Sequence, residues 1–159
     1  MIRKTGSGLR SSSTQARGLL LFAVGGTQVA ARAEEVESVM PWSESMPVPS
    51  RTPFVHALVR RDQAVLPVFD LAARLDVTIG GSASLCVIAK HVDGLLAIRI
   101  DPEVPVLHMV EPSAIRPDQP ADPDLLGTYM YESHAIPVLS LARLGKACAN
   151  IPELVKNGR

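Results

Sequence analysis

The stretch Ala64–Leu75, Ala-Val-Leu-Pro-Val-Phe-Asp-Leu-Ala-Ala-Arg-Leu, reads as a short buried strand running into one turn of helix. It has an echo about seventy residues later at His134–Leu144, His-Ala-Ile-Pro-Val-Leu-Ser-Leu-Ala-Arg-Leu. In register, Pro67 matches Pro137, Val68 matches Val138, Leu71 matches Leu141 and Ala72 matches Ala142. Proline donates no ladder hydrogen bond, so each copy belongs on an edge strand or at a strand end. A second echo lies upstream. Ala23-Val24-Gly25-Gly26 opens the first half and His91-Val92-Asp93-Gly94 the second, both as strand–tight turn–strand signals. The pattern predicts two similar lobes built by duplication, with approximate halves at 18–79 and 84–148.

A chain of 159 residues can bury one sizeable core, or two small ones that share a wall. Aromatic residues are only 4% of the chain, so the core is aliphatic. Thirteen prolines exclude an all-helical bundle and suit short strands separated by loops. A formal net charge of zero argues against nucleic acid as the main partner, since phosphate tracking needs a basic excess. Cys86 and Cys148 lie in apolar contexts without CxxC spacing and read as reduced, buried thiols of a cytoplasmic protein. A single disulfide between them is the alternative.

Residues 1–17 are rich in Ser, Arg and Gly, lack acids, and read as a disordered basic tail. Their outline resembles a signal peptide, but the apolar run Leu19–Val24 is short and far from the start. No run approaches the length that spans a bilayer, so direct membrane insertion is not expected. Leu19–Val24 and Thr27–Ala33 form the first hairpin, the former apolar on both faces. In Glu34–Met40, Val36, Val39 and Met40 stand at i, i+3, i+4 and predict a helical turn with solvated glutamates. Trp42 is either a buried anchor or an exposed contact. Ser43–Pro53 is a proline-punctuated loop. Phe54–Val59 and Ala64–Phe69 pair around Arg60–Gln63, and Asp70 caps the turn Leu71–Leu75. Further strands are expected at Leu85–Lys90, Leu95–Ile100, Val104–Val110, Leu125–Tyr131 and Ala135–Leu139. Leu139–Cys148 reads as helical, and 149–159 as a C-terminal tail or helix.

Motifs that would carry chemistry are weak. His56, His91, His108 and His134 lack a second His or Cys at metal-ligand spacing. Glu132-Ser133-His134 has the letters of acid–base chemistry but reads as a hairpin turn, without a nucleophile elbow. Asp118, Asp122 and Asp124 alternate with loop residues and read as solvated charges rather than a calcium site. No carboxylate pair stands out. The pattern favours a binding or scaffolding module over an enzyme, with no catalytic, cofactor-binding or metal residue assigned.

The order of segments resembles a CheW-like domain, the fold of the coupling protein of bacterial chemotaxis arrays. The resemblance rests on Leu-Leu-Leu-Phe-Ala-Val-Gly-Gly-Thr-Gln-Val-Ala, then Val-Glu-Ser-Val, then Val-Pro-x-x-x-x-Phe-Val at Val48–Val55, then Val-Leu-Pro-Val-Phe-Asp-Leu. Leu-Leu-Ala-Ile-Arg-Ile-Asp at Leu95–Asp101 and Ile-Pro-Val-Leu-Ser-Leu continue it, so the domain would occupy 18–148. It implies an all-β fold of two SH3-like, five-stranded antiparallel barrels packed together, with short helices at the lobe ends. It implies no catalysis and no cofactor. The implied partners are the regulatory domain of a chemotaxis-type histidine kinase and the cytoplasmic tip of a chemoreceptor.

The groove implied for these contacts falls on Val36, Val39, Phe54, Val55 and Leu58, each of which core packing would also explain. Two positions depart from the family pattern. The arginine that contacts the receptor falls on Asp62, and the acidic residue of the Val-x-Glu-Val segment falls on Ser38. A reversed charge facing an unchanged partner is repulsive. The sequence thus leaves three readings: a chemotaxis adaptor; a related scaffold of another chemosensory-type pathway, such as surface motility or gene control, with a non-standard input protein; and a small β-barrel enzyme.

Overall fold

The computed structural model describes residues 15–81 and 83–146. Most of the basic stretch 1–17, Cys148 and the segment 149–159 lie outside the described residues. Arg17 does not belong to a disordered tail, because it opens the first strand and pairs with Val110.

The strands in chain order are β1 (Arg17–Val24), β2 (Thr27–Arg32), β3 (Val36–Pro41), β4 (Ser45–Pro47), β5 (Val55–Arg61) and β6 (Ala64–Phe69). An α-helical turn, α1 (Leu71–Arg74), follows. Then come β7 (Leu85–His91), β8 (Gly94–Ile100), β9 (Val106–Val110), β10 (Ile115–Arg116), β11 (Leu125–Tyr131) and β12 (His134–Leu139). The fold is all-β, as expected. Asp70 caps α1 through Oδ1, which accepts from the Ala73 N–H at 3.1 Å.

Two six-stranded sheets form, ordered β10-β11-β12-β2-β1-β9 and β4-β5-β6-β8-β7-β3. The orders correspond position by position, so the duplication is visible in topology. Each sheet is antiparallel except at one pair, β12 with β2 and β6 with β8. The sixth strand in each is β10 or β4, a short edge strand within a loop that prolines would otherwise keep open. The sheets do not coincide with the halves of the chain. The β1–β2 hairpin joins strands of the second half, and β7–β8 joins strands of the first.

This exchange explains why the hairpins are apolar on both faces. Leu19, Leu21 and Ala30 fill the interior of one lobe with Ile136 and Val138. Cys86, Ile88 and Ala97 fill the other with Val59, Leu66 and Val68. The opposite faces, including Phe22, Val24, Val87, Ala89 and Ile98, meet in a third core between the lobes. The repeated prolines lie in strands with neighbours on both sides, yet the parallel ladder starts only one residue later, at Val68↔Ala97 and Val138↔Ala30. The missing donors therefore cost no ladder bond on that side.

Three expectations are corrected. Val36–Pro41 is a strand, not a helical turn, preceded by a 3₁₀ turn at Ala33–Glu35. Leu139 ends β12 and Leu141–Arg143 forms a 3₁₀ turn that Leu144 and Gly145 (φ +81°) close, so helix does not run from Leu139; Lys146 is helical, and 147–148 lie outside the described residues. The loop carboxylates are not all solvated. Glu35 and Asp124 are buried, at 6% and 2% exposure.

These buried carboxylates tie separate segments together, and Asp124 ties one lobe to the other. Glu35 pairs with Arg32 and accepts from the Leu141 N–H at 2.9 Å. Asp124 accepts from Arg74 Nε at 2.8 Å and from the Gly145 N–H at 2.9 Å. Arg74 Nη2 also donates to Asp122. Burial pushes the Asp122 carboxyl up, but the Asp124 N–H and the Arg74 guanidinium outweigh it and hold it below the usual carboxylate range. Asp101 accepts from the N–H groups of Gly25 and Gly26, both at 2.8 Å, and so fixes the β1–β2 turn.

Candidate functional site

Val36 and Val39 share a face of β3, though not through helical spacing. A bulge between Val36 and Ser38 places Val36 opposite Ala89 and Val39 opposite Val87. Directly opposed residues point to the same side of a sheet, so both valines face the side of the inter-lobe core. Val36 packs against that core, whereas Val39 stays 38% exposed. Met40 pairs with Cys86 and turns to the other face, into the lobe interior.

Phe54 and Val55 also pack against the inter-lobe core. Phe54 has φ +64°, an uncommon conformation for an aromatic residue. Its carbonyl accepts from the Asp70 N–H at 2.7 Å, and its ring lies 5.7 Å from that of Phe69. Val55 lines a cleft of about 240 Å³ between the lobes, with Pro67, Phe69, Leu95, Leu96 and Leu144. Leu58 is half-buried on β5, opposite Pro67. Val36, Phe54 and Val55 are thus brought together around one core, while Val39 lies at its exposed margin.

Asp62 is exposed in the β5–β6 turn at φ +54°. The neighbouring residues carry a charge pair. Arg61 Nη2 lies 2.8 Å from Glu37 Oε1, and the Ser38 hydroxyl donates to the same carboxylate at 3.0 Å. The Ser38 hydroxyl and the Arg61 guanidinium hold Glu37 below its ordinary value. The pair links β3 to β5, which are not hydrogen-bonded neighbours in the sheet. An arginine and a glutamate therefore do meet here, each one residue before the position that the family pattern implies.

One surface carried no sequence signal. On the edge strand β9 and the residues leading into it, Val104, Val106, Leu107 and Met109 are exposed by 54–78%. The corresponding edge, β3, carries Glu37, a bulge and Pro41, all devices that blunt an edge. β9 carries no charged residue and no proline. The expected strand Val104–Val110 hid this because period-two patterns mark strands without saying which strand is an edge.

Chemistry is sparse. Among the described residues, no three His, Cys, Asp or Glu side chains are grouped to hold a metal. Glu132 and Ser133 adopt φ +50° and +67° in the β11–β12 hairpin turn. Cys86 is buried, and burial pushes its thiol up to about 11, which leaves it a poor nucleophile. No helix among the described residues is long and apolar enough to cross a membrane.

Residues 18–147 match the family described as CheW-like domain. The chain belongs to the CheW-like domain family. A solved structure, the scaffolding protein TtCheW from Thermoanaerobacter tengcongensis, superposes on this CheW-like chain with a TM-score of 0.71. The two are 16% identical, over 81% of this chain and 87% of the other. No curated protein matches the chain in sequence. At that identity the shared feature is the two-lobed fold.

Proposed function

We propose that this CheW-like chain is a non-catalytic cytoplasmic scaffold. It couples the regulatory domain of a chemotaxis-type histidine kinase to the cytoplasmic tip of a chemoreceptor. The observation that carries the reading is the bare apolar edge at β9, in a family of scaffolds. An unblunted edge of this kind is a liability unless a partner covers it. The second candidate surface is the exposed margin at Val39, backed by Val36, Phe54 and Val55 and extended by Leu58, with Ser38 and Asp62 as candidate rim residues. No cofactor enters this role.

The test is a calorimetric titration with the kinase regulatory domain, followed by the receptor tip. Saturable one-to-one binding that Val39→Asp or Leu107→Asp weakens is the expected result. Absence of binding to any such kinase from the same cell overturns the reading. The displaced charge pair favours a second reading, a scaffold of another chemosensory-type pathway with a non-standard input protein. Kinase binding without binding to a standard receptor tip would support it.

A further inference from the structure

The described residues include four half-buried arginines: Arg32, Arg61, Arg74 and Arg99. Three of them meet carboxylates: Arg32 with Glu35, Arg61 with Glu37, and Arg74 with Asp122 and Asp124. Arg99 meets none among the described residues. Its Nε donates to Ser84 Oγ at 2.9 Å, and its Cζ lies 5.8 Å from the centroid of the Trp42 ring. These two contacts fix the guanidinium plane while leaving its two terminal nitrogens without a partner among the described residues. A guanidinium fork held in place in this way is suited to a planar anion.

Arg99 and Trp42 line a cavity of about 350 Å³ bounded by β6, α1 and the segment after it. That volume falls within the range of small-ligand sites. The apolar part of the wall comes from Val68, Leu71, Val77 and Ile79, and Asp70 is the acid on the lining. Asp70 is engaged through Oδ1 in capping α1. One guanidinium opposed by one carboxylate, with the His56 imidazole also on the lining, suits a singly charged ligand better than a phosphate dianion.

We propose that this cavity is a binding site for a small organic carboxylate with a branched aliphatic body. The carboxylate pairs with Arg99, and the hydrocarbon lies against Val68, Leu71, Val77 and Ile79. The site is separate from the β9 edge, and its existence does not depend on the scaffold reading.

The test uses the full chain and the fluorescence of Trp42, its one tryptophan. The probe is 4-methylpentanoate. A saturable fluorescence change is expected, with 4-methylpentanamide binding about tenfold more weakly or worse, because it lacks the charge. Inorganic phosphate should not compete. Arg99→Gln should weaken binding of the acid about tenfold, and Arg99→Lys should retain part of it. An amide that binds as well as the acid overturns the proposal, as does an Arg99→Gln protein with unchanged affinity. Tighter binding of phosphate overturns the assignment to carboxylates. The acid–amide comparison uses the unaltered protein and decides the matter even where Arg99→Gln does not fold.

Discussion

Replacing Arg74 with alanine is expected to cost the fold about 3 kcal/mol. The side chain leaves α1 in one lobe and reaches the loop ahead of β11 in the other. It donates to Asp124 at 2.8 Å and to both oxygens of Asp122 at 2.8 and 3.0 Å. Without it, buried Asp124 keeps the Gly145 N–H as its donor among the described residues. Stripping the partner from a fully buried pair costs about 3–5 kcal/mol, mostly because a charge is left uncompensated. The side chains of Arg74 and Asp122 retain 26% and 34% exposure, so water screens part of this loss and the low end applies.

For a chain of this size, 3 kcal/mol lowers the melting temperature by about 6–12 °C. Urea unfolding should show a lower midpoint at unchanged slope, which separates lost stability from an altered denatured state. Asp124→Asn should also destabilise. The double variant should cost less than the sum of the two by at least about 1 kcal/mol, since both remove the same interaction. An Arg74→Ala protein within about 0.5 kcal/mol of the parent would mean that the cluster is an ordinary surface feature. Arg74 would then not tie the lobes together.

The same cluster sets an acid dependence. Asp122 has a folded pKa below its unfolded value of about 3.9, so its contribution is present above that value and lost as pH falls through the folded one. Asp122→Asn should lower stability at pH 7 and flatten the acid limb of the urea midpoint plotted against pH. Gly127→Ala should unfold or precipitate the protein, read as loss of a cooperative melt. Gly127 has φ +149°, and an added Cβ would collide with the Arg116 carbonyl oxygen of the paired strand β10. Asp62→Arg should strengthen binding to a standard receptor tip, at a stability cost of about 1 kcal/mol for a longer side chain at positive φ. Unchanged or weaker binding by calorimetry would mean that Asp62 does not face the receptor.

Much of the fold was legible because its signals are local. Pro67 and Pro137 mark equivalent strands, Gly25-Gly26 marks a tight turn, and Asp70 marks a cap. The strand β3 was not legible. Its bulge sets Val36 and Val39 three residues apart on one face, which imitates a helical period. Nor was the burial of Glu35 or Asp124, since their donors lie at Leu141, Arg74 and Gly145, far along the chain. The candidate site was legible only where core and surface share residues, as at Val36, Phe54 and Val55. Exposure at Leu107 and Met109 depends on which strand ends up at the edge, and that is a property of topology.

The exchange of hairpins has a consequence for how the lobes depend on each other. Within the first half, β6 ends beside a place that β8 fills, and within the second half β12 ends beside a place that β2 fills. Residues 15–81 alone would hold β1–β2 with no sheet to join, exposing Leu19, Leu21, Phe22 and Val24 together. The matching deficit in 83–146 exposes Val87, Ile88, Ala97 and Ile98. At about 1.5–3 kcal/mol for each large side chain, either deficit rivals the whole stability of a small domain. Each half made alone is therefore expected to stay unfolded by circular dichroism, and a mixture of the two to regain β signal. A half that melts cooperatively by itself would refute the argument. It would mean that the interior of one lobe suffices, and that the core between the lobes joins two independent barrels rather than completing both.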